Sequence, residues 1–192
     1  MIKLVLLAVF SSLLVEARPI ETIESGLKRV LDINSEYKSQ NKLLSSEHVS
    51  ALYRIAEDYI DFSEMARRSF GTVWNSMNDR EKDEGVKLLK EVLIKTYVDR
   101  VAKAQPGQVT VVSESVTGDK GEVVSHVQNE KNKATIEYRL RKVGGSWKVF
   151  DVVIEGVSLV VNYRQEFNSI FKASGTQGVL DSLRRKIEKL SA

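Results

Sequence analysis

Apolar residues recur at helical spacing through the first half of the chain, alternate at strand spacing through the next quarter, and then return to helical spacing. From Pro19 to about Ile33 the apolar positions are Ile20, Ile23, Leu27, Val30 and Leu31, one face of a helix. Pro19 suits its first turn, where a missing N–H costs nothing. The polar run from Asn34 to Asn41 reads as a loop. Ser45 or Ser46 can cap a second helix that turns Val49, Leu52, Tyr53, Ala56, Tyr59 and Ile60 inward. Residues 61–71 predict a third helix, capped by Asp61 and stopped by Gly71, with Trp74 in the connection that follows. Asn78 and Glu81 have the spacing of a capping box. They open a helix whose buried face is Val86, Leu89, Val92, Leu93, Thr96 and Tyr97, and Pro106-Gly107 closes the helical half.

Val109 to Val116, Glu122 to Gln128, Thr135 to Lys142 and Trp147 to Glu155 predict four strands. Short, turn-rich connections make them an antiparallel meander. In the third strand Ile136, Tyr138 and Leu140 face one way and Glu137, Arg139 and Arg141 the other, so one face of the sheet is covered and one is wet. Glu155-Gly156 turns the fourth strand into an apolar helix carrying Val157, Val160, Val161, Phe167, Ile170 and Phe171, which Gly175 ends. A last helix carries Val179, Leu180, Leu183 and Ile187, with Arg184, Arg185, Lys186 and Lys189 on and near its other faces. The fold class is therefore α+β: N-terminal helices, a four-stranded curved antiparallel sheet, and two C-terminal helices laid on its covered face.

The first residues set the compartment. Lys3 gives a positive start, Leu4 to Val15 is apolar apart from Ser11 and Ser12, and Val15-Glu16-Ala17 puts small residues where a signal peptidase reads. Residues 1–17 read as a secretory signal peptide, too short to span a bilayer, and 18–192 as a single exported domain. With no cysteine, that domain has no disulfide, thiolate metal site or catalytic thiol, and its core alone must hold it. The net charge of +3 is compatible with an anionic lipid surface, a property many soluble proteins share.

Catalytic signatures are sparse. His48 and His126 are the only histidines; nothing in their spacing pairs them, and both read as surface residues. Ser158 follows Glu155-Gly156-Val157 instead of standing in a nucleophile elbow, and Gly144-Gly145 reads as a hairpin turn, not a phosphate cradle. Asp151 sits mid-strand among apolar residues. A buried carboxylate there needs a partner, which Arg164 or Arg139 can supply, and a general-base role is the alternative. The clustered basic residues on the last helix are too few for a nucleic-acid surface and read as a solvated face.

Several blocks together resemble the MlaC family. They are Asp61-Phe62 through Arg67 with Phe70-Gly71 and Trp74; Leu93-Ile94-Lys95-Thr96-Tyr97; Tyr138-Arg139-Leu140; Trp147-Lys148-Val149-Phe150-Asp151-Val152 with Glu155-Gly156-Val157-Ser158-Leu159; and Asn162-Tyr163-Arg164 with Phe167, leading to Gly175 and Gly178-Val179-Leu180. Their order and spacing agree across nearly all of the chain after the leader. The resemblance implies a periplasmic phospholipid carrier, with no enzymatic activity and no cofactor beyond the bound phospholipid as cargo. It also implies partners: an outer-membrane lipoprotein–porin complex and an inner-membrane MCE-domain ring driven by an ATPase. The Lys- and Glu-rich middle hairpins depart from the family pattern, which bears on the partner surface more than on the pocket. Nucleic acid is excluded as a partner, and the chain is expected to act as a monomer.

The physical case for a carrier is simple. At about 0.8 kcal/mol per methylene, exposing the ~30 methylenes of two acyl chains to water costs roughly 24 kcal/mol, and an apolar pocket removes most of that. The resemblance implies an apolar cavity between sheet and helices. On that reading the sheet supplies Tyr138, Leu140, Phe150, Val152 and Ile154, and the helices supply Trp74, Leu89, Leu93, Tyr97, Val160 and Phe167, with Val157 at the mouth. Periodicity alone fits an ordinary closed core equally well. A void for two chains is on the order of 800 Å³. Left empty, it costs about 19 kcal/mol at roughly 24 cal/mol per Å³, above the ~5–15 kcal/mol stability of a domain. Arg67, Arg68 and Lys95 read equally as phosphate contacts or as solvated helix faces. The competing classes are a small exported enzyme acting on an apolar substrate with Asp151 as base, and an exported adaptor domain.

Overall fold

The structure is a computed structural model that describes residues 17–128 and 133–191; the leader read at 1–17 lies, except for Ala17, outside the described residues. The elements run α1 (Pro19–Ser39), α2 (Ser46–Tyr59), α3 (Phe62–Phe70), a 3-10 turn (Gly71–Ser76), α4 (Asp79–Ala102), β1 (Val109–Thr117), β2 (Lys120–Gln128), β3 (Lys133–Val143), β4 (Ser146–Ile154), β5 (Val157–Ser158) and α5 (Leu159–Ser191). Capping fixes the helix starts. Ser45 Oγ accepts the His48 N–H, Asp61 Oδ1 accepts the Glu64 N–H, and Asn78 and Glu81 close a reciprocal box at 3.0 and 2.8 Å.

Helix α1 continues through the segment that reads as a loop. Asn34 is buried, and its Nδ2 donates to the carbonyls of Val101 (2.7 Å) and Ala104 (3.2 Å) at the end of α4, which accounts for a polar residue on the inner face. On α2 the buried residues are His48, Ala51, Leu52 and Ile55, so the helix is rotated from the expected face and Val49 and Tyr53 are half-buried. His48, read as a surface residue, is 0 % exposed. Helix α5 holds both predicted C-terminal helices, broken at Gly175 (φ 63°, ψ −167°), a conformation open essentially to glycine alone.

The strands form one antiparallel sheet in the order β1-β2-β3-β4-β5. The fifth strand is two residues long, too short to leave a period in the sequence. Glu155 (φ 49°) and Gly156 (φ 78°) form the tight turn before it. Between β3 and β4 the register shifts, so that Arg139 faces Asp151 while Leu140 faces Val149, and Phe150 is the extra residue of a bulge. The bulge switches the covered positions of β4 from Val152 and Ile154 on one side to Val149 and Trp147 on the other. Phe150, expected on the covered face, packs instead beneath the Arg68 guanidinium at 4.1 Å.

Two hydrophobic cores result. One joins α3, α4 and α5 around Phe70, Leu89, Phe167, Leu180 and Leu183. The other joins α1 to the sheet around Ile23, Val123, Leu140, Trp147 and Val149. Among the described residues only Ile60, which bridges to β4 at Val149, packs against both.

Candidate functional site

Between the two cores lies a cavity of about 270 Å³. Its walls come from every layer. Helix α2 gives Leu52 and Ala56, followed by Ile60; α3 gives Phe62 and Met65; α4 gives Leu93, Ile94, Tyr97, Val98 and Val101. The floor is Ile136 and Tyr138 of β3 with Val152 and Ile154 of β4, and Leu159 closes it at the start of α5. No charged side chain lines it. The only side-chain heteroatoms on its walls are the Met65 sulfur and the tyrosine hydroxyls, and burial pushes the phenols of Tyr97 and Tyr138 above their ordinary value, so both stay neutral at physiological pH. Val101, in the last turn of α4, is the most exposed of the wall residues, at 36 %.

Of the residues proposed from the sequence, the structure brings Leu93, Tyr97, Tyr138, Val152 and Ile154 together on the cavity wall. Leu89, Val160 and Phe167 are buried in the helical core, with Trp74 packed against it, and Leu140 is buried between α1 and the sheet. Val157 pairs with Ile154, shares its face of the sheet, and stands 57 % exposed beside the cavity. The wall residues that the periodicity did not single out include Ile94, Val98 and Val101. Their signal was present: they form a second stripe beside Leu89, Leu93 and Tyr97, making the apolar face of α4 wider than one neighbouring helix can cover. The void is also about a third of the volume expected for two acyl chains.

Charged groups around the site are paired. Glu64 is buried and accepts hydrogen bonds from Arg67 Nε (2.8 Å), Arg67 Nη2 (2.8 Å) and Arg68 Nε (2.7 Å). The Arg67 hydrogen bonds hold its carboxyl at a pKa of about 2, against the opposing effect of burial. Arg141 reaches Asp61 at 3.0 Å. Arg67 and Arg68 are therefore committed to a carboxylate, and Lys95 to Ser191 and Glu91. Asp151 is 3 % exposed; it accepts from Ser158 Oγ (2.7 Å), the Val160 N–H (3.1 Å) and Arg139 (3.4 Å), whereas Arg164 donates to the Arg68 carbonyl. Both carboxylate oxygens of Asp151 are engaged at the entry to α5, and Asp151 is not among the residues that line the cavity. A second cleft of about 330 Å³ lies between α1, the end of α2 and the β3–β4 turn, but the Arg29–Asp58 pair, Glu21 and Lys148 line it, a poor wall for hydrocarbon.

An α+β domain with an apolar cavity between sheet and helices defines a class of small-ligand binder. The sequence model of the MlaC protein family matches residues 24–185, and the chain belongs to that family. The family consists of phospholipid-binding and transport proteins, not enzymes. Among relatives, the chain is 24 % identical over 186 residues to the toluene tolerance protein ttg2D of Pseudomonas putida, covering 90 % of this chain and 82 % of that one. It shares its fold with a phospholipid-binding protein from Ralstonia solanacearum solved in complex with a phospholipid. The TM-score is 0.81 at 20 % identity, over 92 % of this chain and 100 % of that one. No described helix is long and apolar enough to cross a membrane.

Proposed function

We propose that this protein is a phospholipid carrier that takes acyl chains into the cavity between its two cores and leaves the headgroup in water. The observation that carries the reading is a hollow with hydrocarbon and aromatic walls placed where a closed core would otherwise continue. Membership of the MlaC family and the phospholipid held by the Ralstonia relative support it. The acyl-contacting residues are Leu93, Tyr97, Tyr138, Val152 and Ile154, joined by Ile60, Phe62, Met65 and Leu159. At about 270 Å³ the cavity is smaller than two acyl chains need, so it must widen to load. In its finer form the proposal is a periplasmic monomer that exchanges lipid with an outer-membrane lipoprotein–porin complex and an inner-membrane MCE-domain and ATPase complex.

Lipid extraction and mass spectrometry of the freshly purified chain test it. Stoichiometric phospholipid is expected, together with a melting temperature that falls on delipidation. A lipid-free preparation as heat-stable as the same protein after lipid addition overturns it.

A further inference from the structure

We propose that the cavity as it stands is a slot for one hydrocarbon tail, with Arg100 the contact for an anionic head, so that single-tailed phospholipids enter it without widening. The proposal rests on the carrier reading and names a cargo class for the same cavity.

Volume sets the tail. An apolar cavity of about 150 Å³ takes up benzene, which allots about 25 Å³ to each carbon. At that rate about 270 Å³ holds about eleven carbons. That is most of one ~15-methylene acyl chain and none of a second. The walls are pinned at this volume. The Asp61 N–H donates to the Val149 carbonyl at 2.8 Å and fixes Ile60 against β4. Asp151 holds the start of α5, just after Leu159, through the Val160 N–H at 3.1 Å. Ile136 and Tyr138 stand on β3, which is paired with β2 on one side and β4 on the other. A second tail enters only by displacing one of these walls, and a single tail displaces none.

The head has one free cation to meet. No charged side chain lines the cavity, so a charged head stays outside it. Arg67 and Arg68 are committed to Glu64, Lys90 to Glu57 and Lys95 to Glu91. Arg100 differs from them. Its guanidinium lies 6.0 Å from the ring centroid of the wall residue Tyr97, and it has no carboxylate partner among the described residues. Its neighbour in the chain, Val101, is the most exposed residue of the wall. Asp99 precedes it but points about 100° away around the helix. A guanidinium stacked on the wall with its donors unclaimed matches the paired oxygens of a phosphodiester. A cation in the last turn of α4 also complements the helix dipole, but that role is indifferent to the chemistry of a ligand.

The test titrates the lipid-free chain, below critical micelle concentrations, with lysophosphatidylglycerols of increasing tail length and with alkyl maltosides of the same tails, whose head is uncharged. Each added methylene is expected to tighten binding about fourfold up to about eleven carbons, beyond which affinity levels off. Arg100→Gln is expected to weaken lysophosphatidylglycerol about tenfold and to leave the maltosides within about twofold. Affinity that keeps rising fourfold per methylene through ~16 carbons overturns the single-tail slot. Equal losses for both heads, or no loss for either, overturn the role of Arg100. A fatty acid that binds more tightly than lysophosphatidylglycerol of the same tail overturns the phosphodiester as the head. Uptake of diacyl phosphatidylglycerol without any single-tailed lipid overturns the slot alone, whereas failure to bind any of these lipids overturns the carrier reading itself.

Discussion

The Asp151 carboxylate accepts the Val160 backbone N–H at 3.1 Å across the turn that ends β4, and so a strand residue caps the helix that follows. Ser158 Oγ joins it at 2.7 Å and itself accepts the Val161 N–H at 3.0 Å. A buried carboxylate so engaged is a structural keystone for α5. Asp151→Asn keeps one acceptor but loses the charge facing the helix N-terminus, and the expected cost is about 1–2 kcal/mol with lipid content unchanged. Urea denaturation and lipid extraction of the variant check both halves. Loss of bound lipid from a variant of wild-type stability would contradict the assignment.

Glu64 gives the protein an acid-sensitive joint. Its folded pKa of about 2 lies below the ordinary 4.5, so the ion pair with Arg67 and Arg68 stabilises fully above pH ~4.5 and is lost as pH falls toward 2. Glu64→Gln is expected to cost on the order of 2 kcal/mol at pH 7, since it leaves two arginines without their charge partner. The gap between variant and wild type should shrink between pH 4.5 and 2. An equal gap at pH 7 and pH 3 would contradict this.

Local rules made much of this fold legible. The Asn78–Glu81 box, the Asp61 cap and the break at Gly175 stand where their residue types place them. Features set by distant partners were not legible. Asn34 is helical because its amide meets the end of α4, many residues away in sequence, and a polar run gives no hint of that. Phe150 leaves the covered face because one bulge switches the parity of β4, and alternation cannot locate a bulge. The cavity was the hardest feature. Leu93 and Tyr97 line it while Leu89, one turn earlier on the same stripe, is buried in a packed core. Apolar spacing marks which residues face inward, and says nothing about whether the opposite wall reaches them.

His48 makes a second pH-dependent contribution, of different origin. Burial lowers its pKa from 6.5, and no charged group enters as a cause. The neutral ring accepts the Leu44 N–H and donates to Asn34, so protonation would set two donors face to face at Nδ1. With the folded pKa below the unfolded one, the neutral imidazole's stabilisation is complete above pH ~6.5 and declines as pH falls below it. An NMR titration should place His48 below 6.5. His48→Ala should cost about 2–4 kcal/mol by orphaning Asn34 and leaving a void. A titration midpoint at or above 6.5 would exclude this network.

Filling the cavity should move stability and lipid binding in opposite directions. Ala56 lines the void from α2, where its methyl group leaves room before the β3–β4 floor. Ala56→Phe would put a ring into the cavity, one turn before Ile60 on the same wall. The lipid-free variant is expected to gain about 1–2 kcal/mol, because cavity-filling adds buried apolar area without new strain. Lipid content should fall severalfold, because the ring occupies space that acyl chains need. Substitutions in an ordinary core behave otherwise: an added ring overpacks and destabilises by about 1–3 kcal/mol. Thermal melts of delipidated protein, paired with lipid extraction, therefore separate a working cavity from a packing defect. A destabilised variant with undiminished lipid would show that the hollow beside Ala56 is not where the acyl chains lie.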